Sequence, residues 1–251
     1  MSGHSKWSSI KHKKGAADAK RGKLFSKLAR ALIVAAREGG ADPAANLALA
    51  NAIEKARSYS MPKENIERAI ARGSGADTDA DAFEQVVYEC YGPNGVAVLV
   101  EALTDNRNRT AQDVRSAFTK HEGSLGGSGA VAWLFERRGV ILVDADRADE
   151  DELTMAAADG GADDVELDGS SFRVTCPPEA LTAVRSAIEQ AGLEVDSAEL
   201  TMVPKTTISL EDEGSAKKTL RLIDALEESD DVQDVYANFD IPERVMEAVA
   251  T

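Results

Sequence analysis

The sequence predicts a multidomain α and α+β protein: an N-terminal three-helix bundle followed by two α+β domains, one ferredoxin-like and inserted in the other. Three observations lead there. Apolar residues recur at helical spacing in three successive segments up to Gly73, strand alternation begins at Phe83, and the elements from Gly139 to Met202 fall in the order β-α-β-β-α-β.

The first helix is expected from about Gly22 to Glu38, with Leu24, Phe25, Leu28 and Leu32 on one face and a stop at Gly39-Gly40. Asp42-Pro43 then offers a cap and a first-turn proline for a second helix through Leu47, Ala50, Ile53 and Ala56. Pro62 opens a third, carrying Ile66, Ala69 and Ile70 and ending at Gly73. The polar run "GSGADTDAD" from Gly73 to Asp81 reads as a linker.

Beyond it, "FEQVVYECYGPNGVAVLVEALT" gives two strands around a Gly-Pro-Asn-Gly turn, and a helix follows from about Arg109 to His121. The loop "GSLGGSG" at 123–129 leads into the strand "VAWLF". Next come a strand at Val140 to Val143, a helix at Asp149 to Asp159, and strands at Val165 to Leu167 and Phe172 to Cys176. A helix at Pro178 to Ala191 and a strand at Val195 to Met202 complete the split βαβ order. A strand at Thr207 to Leu210, a helix at Ser215 to Glu228 and a strand at Val232 to Asp240 remain, and are assigned to the sheet begun at Phe83. The expected domains are therefore 1–75, basic tail and bundle; 81–137 plus 205–241, a discontinuous α+β domain; and 138–204, the ferredoxin-like insertion.

The charge distribution is uneven. The chain carries a net charge of −15, yet residues 1–75 hold 15 Lys/Arg against 6 acids, or +9, and residues 76–251 hold 14 against 38, or −24. An acidic body repels polyanions, so contact with nucleic acid is expected at the basic end. There, Lys20, Lys23, Lys27, Arg30 and Arg37 fall in one stripe of the first helix, beside its apolar face. Upstream, Lys6, Lys11, Lys13 and Lys14 sit among glycines and serines with Trp7, His4 and His12 between them; an aromatic among cations suits stacking on an unpaired base with phosphate neutralised on either side. The competing reading is a solubilising arm with Trp7 folded back on the bundle.

Other chemistry is sparse. The loop at 123–129 lacks the Lys-Ser/Thr of a nucleotide-binding phosphate cradle, so a turn into an edge strand is preferred. Arg107 and Arg109 stand beside Asp105 and Asn106 at a helix start, where capping and local ion pairing compete with anion contact. His4, His12 and His121 are scattered, and Asp230-Asp231 reads as a solvated loop. The expectations are a non-enzyme with no catalytic residues, no metal and no cofactor. Cys90 and Cys176 suit buried reduced thiols. Apolar stretches fall short of the roughly 20 residues needed to cross a bilayer, and the N-terminus shows no secretory signal, so a cytoplasmic protein without membrane contact is expected.

Several long motifs resemble one family: "GHSKW…IKHKK…DAKRGKLFSKL", "GGADP…N", "MPKENIERAI", "YECYGPNGVAVLVEALTDNRNRT" and "GSLGGSGAVAWLFERRGVI". Together they resemble the YebC/PmpR family, which includes a mitochondrial translational activator of cytochrome c oxidase. The resemblance spans essentially the whole chain and implies a helical bundle with two α+β domains. It also implies a regulator of gene expression: the common label is DNA-binding transcriptional regulation, and members are also understood as translation factors acting on the ribosome, here through ribosomal RNA. The family's "NPRLR" at the second helix is replaced by Asn46-Leu47-Ala48-Leu49-Ala50, which removes two arginines from that helix. Binding is therefore carried onto His4, Lys6, Trp7, Lys11, His12, Lys13, Lys14, Lys20, Arg21, Lys23, Lys27 and Arg30. Arg107 and Arg109, with Asn106 and Asn108, form a second patch. A monomer is the favoured oligomeric state.

Overall fold

The computed structural model describes residues 18–75 and 83–250, the side chains of residues 18–20, 243 and 250 excepted. The chain forms an N-terminal helical bundle followed by two α+β parts. It divides into two compact units. Among the described residues, one comprises 18–131 and 217–235, and the other 132–216 and 236–250.

The first unit opens with α1 (Asp18–Gly39), α2 (Leu47–Ser58) and α3 (Lys63–Ser74). Their shared core holds Leu28, Leu32, Leu49, Ile53, Ile66 and Ala69, with Leu24 and Phe25 packed against it, as the helical spacing predicts. The α2 cap is a correction. Asp42 closes only a turn, accepting from the Ala44 amide at 2.9 Å. The capping residue is Asn46, whose Oδ1 accepts from the Leu49 amide at 3.1 Å while its Nδ2 donates to the carbonyls of Ala35 (2.7 Å) and Gly40 (2.8 Å). One buried side chain thus closes the end of α1 and opens α2. Gly39 is needed beside it, because a Cβ there would lie 2.5 Å from Asn46 Nδ2. The approach of α3 to α1 is closer still: a Cβ on Gly73 would meet the Ile33 carbonyl oxygen at 2.3 Å.

The same unit continues with β1 (Glu84–Tyr91) and β2 (Ala97–Thr104), antiparallel from Glu84↔Thr104 to Tyr91↔Ala97. Asn94 and Gly95 turn between them at positive φ. α4 (Arg107–Lys120) and β3 (Ser124–Leu125) follow, and the sheet order is β3-β1-β2-β9, with β9 spanning Val232–Ala237. α7 (Glu213–Glu227) leads into β9 through the turn at 228–231.

In the second unit β4 (Phe135–Asp144), α5 (Glu150–Asp159), β5 (Asp164–Asp168), β6 (Ser171–Cys176), α6 (Leu181–Gln190) and β7 (Ser197–Pro204) form a ferredoxin-like fold. Its sheet order is β5-β6-β4-β7, antiparallel throughout. The core is Ile141, Val143, Leu153, Phe172, Val174, Val184 and Ile188. Three details depart from expectation. β4 runs unbroken through Gly139, where the absence of a Cβ admits Cys176 Sγ, which a Cβ would approach to 2.6 Å. The strand expected near 207–210 does not join the sheet begun at Phe83: β8 (Ile208–Ser209) pairs in parallel with β10 (Phe239–Asp240) instead. The final expected strand is thus divided at Asn238, and the chain continues into a further helix, α8 (Glu243–Ala250). No helix among the described residues is long and apolar enough to cross a membrane.

Candidate nucleic-acid interface

Seven of the expected contact residues, His4, Lys6, Trp7, Lys11, His12, Lys13 and Lys14, lie outside the described residues. Lys20 lies in α1, and Arg21, one residue on, is exposed. The rest of the α1 stripe is placed, and its cations meet the same chain. Lys23 Nζ donates to the Glu228 carbonyl at 3.4 Å, and Lys27 Nζ to the Glu227 carbonyl at 2.6 Å. Arg30 Nη1 reaches both the Asp230 carbonyl and Asp231 Oδ1 at 2.8 Å. Its guanidinium also sits 5.1 Å from the Phe83 ring centre. Arg37, further along α1, donates to the Phe83 carbonyl. Three cations spaced by helical periodicity therefore gather at the C-terminus of α7, where the carbonyls that end the helix and the negative end of its dipole attract positive charge.

Asp231 is the centre of this contact. It is only 5% exposed, and its Oδ2 accepts from Arg109 (2.8 Å), Thr110 (2.8 Å) and Thr104 (3.3 Å) while Oδ1 accepts from Arg30. Burial pushes this carboxyl upward, but the hydrogen bonds from Arg109, Thr110 and Arg30 outweigh it and hold the group below its ordinary value. Asp230 is exposed as expected, whereas the expectation of solvation fails for Asp231. No local signal marks it, since its partners lie 121 to 201 residues away.

The second patch is built as an N-cap. Asn106 Oδ1 accepts from the Arg109 amide at 3.1 Å, and its own amide donates to Thr104 Oγ1 at 2.8 Å. Arg109 is held between Asp105 (2.6 Å) and Asp231, an arrangement that raises its pKa through hydrogen bonds to Asp231 and then Asp105. Arg107 is the more accessible cation of the pair, 3.5 Å from Glu84 with its side chain 64% exposed. An open cleft of about 590 Å³ beside Arg30 and Arg109 is lined also by Asp113, Glu228 and Asp230. Those carboxylates are exposed, so the rim of the cleft does not favour phosphate.

The loop at 123–131 binds an anion of its own. Glu89 Oε1 accepts from the Gly129 amide at 2.6 Å and Oε2 from the Val131 amide at 2.7 Å, so backbone amides around a positive-φ glycine hold a resident carboxylate. Cys90 and Cys176 are both buried. Burial, followed by the charge of Glu89, pushes the Cys90 thiol up to about 12. Among the described residues, no three His, Cys, Asp or Glu side chains group as a metal site.

A helical bundle bearing a basic stripe, joined to a β-sheet domain and followed by a ferredoxin-like module, defines a modular α and α+β protein. Two family models identify it. Residues 5–76 match the TACO1/YebC protein N-terminal domain, and residues 83–239 match the TACO1/YebC second and third domain. The chain belongs to the TACO1/YebC family, as the sequence motifs imply.

A relative from Rubrobacter xylanophilus, named "Probable transcriptional regulatory protein", is 61% identical over 250 residues and covers all of both chains. One of the same name from Persephonella marina is 51% identical, again over all of both chains. Among solved structures, the crystal structure of a conserved hypothetical protein from Aquifex aeolicus aligns with a TM-score of 0.79 at 50% identity, covering 90% of this chain and 93% of the other.

Proposed function

We propose that this chain is a non-enzymatic, DNA-binding transcriptional regulator whose basic N-terminal segment makes the main contact and whose acidic domains position it or recruit a protein partner. The observation that carries this reading is the partition of charge, +9 over residues 1–75 against −24 over the remainder. A polyanion is attracted to one end and repelled by the rest, which orients binding before any specific contact forms. The relatives' shared name points the same way. Contact is assigned to His4, Lys6, Trp7, Lys11, His12, Lys13, Lys14, Lys20, Arg21, Lys23, Lys27 and Arg30, with Arg107 and Arg109 as the second patch. The working division is a tail and bundle (1–75), a discontinuous α+β domain (81–137 plus 205–241) and a ferredoxin-like insertion (138–204), in a cytoplasmic monomer.

One observation favours ribosomal RNA as the target instead. A groove-reading third helix should present a basic surface, yet α3 exposes Glu64 and Glu67 beside Lys63, Arg68 and Arg72, with Lys63 and Glu67 paired at 3.6 Å. Ultraviolet crosslinking in cells, followed by sequencing of the attached nucleic acid and mapping of crosslinked peptides, decides between the two. Chromosomal DNA attached to peptides from residues 1–37 supports transcriptional regulation. Ribosomal RNA attached to the same peptides makes the protein a translation factor, and recovery of neither nucleic acid overturns both readings.

A further inference from the structure

We propose that the α1 stripe is a phosphate-responsive latch: the turn after α7 and a phosphodiester backbone compete for Lys23, Lys27 and Arg30, so polyanion binding releases the bundle from that turn. This inference rests on the nucleic-acid reading for its biological role.

The docked contacts imitate a weak anion. Of the four hydrogen bonds described above, three go to carbonyl oxygens, those of Glu227, Glu228 and Asp230, and the fourth goes to the Asp231 carboxylate. A charged phosphate oxygen binds an ammonium or guanidinium more strongly than a neutral carbonyl does. Exchange is therefore downhill for the cations once several phosphates arrive together.

The structure also limits what release leaves behind. Asp231 retains Arg109 and Thr110 at 2.8 Å and Thr104 at 3.3 Å when Arg30 departs, so no unpaired buried charge remains. Glu228 and Asp230 are exposed, so water can take the place of the cations at the carbonyls of this turn. Docking in the free protein shields three cations of the segment assigned to the nucleic acid, which makes the contact autoinhibitory.

The test uses the full chain with two probes, inorganic polyphosphate and a duplex DNA, and two readouts. In the first, hydrogen exchange is followed at the amides of residues 227–232. Addition of polyphosphate should raise their exchange; unchanged or slowed exchange overturns the latch. In the second, Asp231→Asn keeps an amide oxygen for Arg109 and Thr110 while its NH2 group opposes Arg30, loosening one arm. Its affinity for polyphosphate should rise about three- to tenfold, as expected when the competent form is more populated. Equal or weaker affinity, with circular dichroism unchanged, overturns the proposal. Turn release by polyphosphate without any binding of the duplex DNA sinks the DNA-binding reading while leaving the phosphate response of the latch intact.

Discussion

Arg30 and Arg109 grip opposite oxygens of Asp231, each at 2.8 Å, although the two arginines come from helices separated by the rest of the bundle and the first hairpin. One buried carboxylate therefore joins α1, α4 and the start of β9. The motif "TDNRNRT" acquires its meaning from this contact. Thr104 and Thr110 donate to Asp231, Asn106 caps α4, and Arg109 completes the shell, so three of the motif's seven residues hold one carboxylate.

Removing that carboxylate leaves two guanidinium groups without their shared acceptor. Asp231→Ala should destabilise the first unit by about 1–3 kcal/mol in urea unfolding, the scale for removing a buried, hydrogen-bonded carboxylate whose arginine partners stay partly exposed. The effect should depend on pH with a defined sign. The carboxyl is held below its ordinary value in the folded protein, so its stabilisation is complete above the unfolded value of about 3.9 and fades as pH falls through the lower folded value. The gap in thermal midpoint between the natural protein and Asp231→Ala should stay constant from pH 7 to about 5 and narrow towards pH 3. A gap that widens with acid contradicts the assignment.

Two glycines in the bundle should respond to alanine in opposite directions. At Gly73 a Cβ would strike the Ile33 carbonyl oxygen at 2.3 Å, so Gly73→Ala forces α3 away from α1 at a cost of about 1–3 kcal/mol. Gly22 lies within α1, where an added Cβ would meet nothing within 4 Å, and Gly22→Ala should stabilise by about 0.5–1 kcal/mol. Thermal denaturation of the pair checks both signs.

Glu89 should govern the order of the glycine-rich loop. Glu89→Ala frees the amides of Gly129 and Val131, which should raise hydrogen exchange across 126–131 and cost about 1–2 kcal/mol. Unchanged exchange there means that the carboxylate does not hold the loop.

The bundle and the ferredoxin-like order are legible in the sequence because both are written locally. Leu24, Leu28 and Leu32 repeat at helical spacing, and the strand around Phe172 to Cys176 alternates between turns marked by Gly169 and Pro177. What stays hidden depends on partners distant in sequence. β8 has only two residues, so its pairing with β10 is set by tertiary placement. Asn46 reads as an ordinary polar residue until the Ala35 and Gly40 carbonyls come within reach. The α1 stripe shows the same divide. Its positions follow from the helical repeat, but its engagement of residues 227–231 crosses some 200 residues of chain.

The salt dependence of affinity tests most directly whether the N-terminal cations bind nucleic acid. Duplex DNA affinity should be titrated against salt for the natural protein and for a variant with Lys11, Lys13, Lys14, Lys20 and Lys23 replaced by Ala. Each lost phosphate contact should reduce the slope of log affinity against log salt by about one, so the variant should bind more weakly and with a flatter slope. An unchanged slope would place the phosphate contacts elsewhere on the protein and contradict the account.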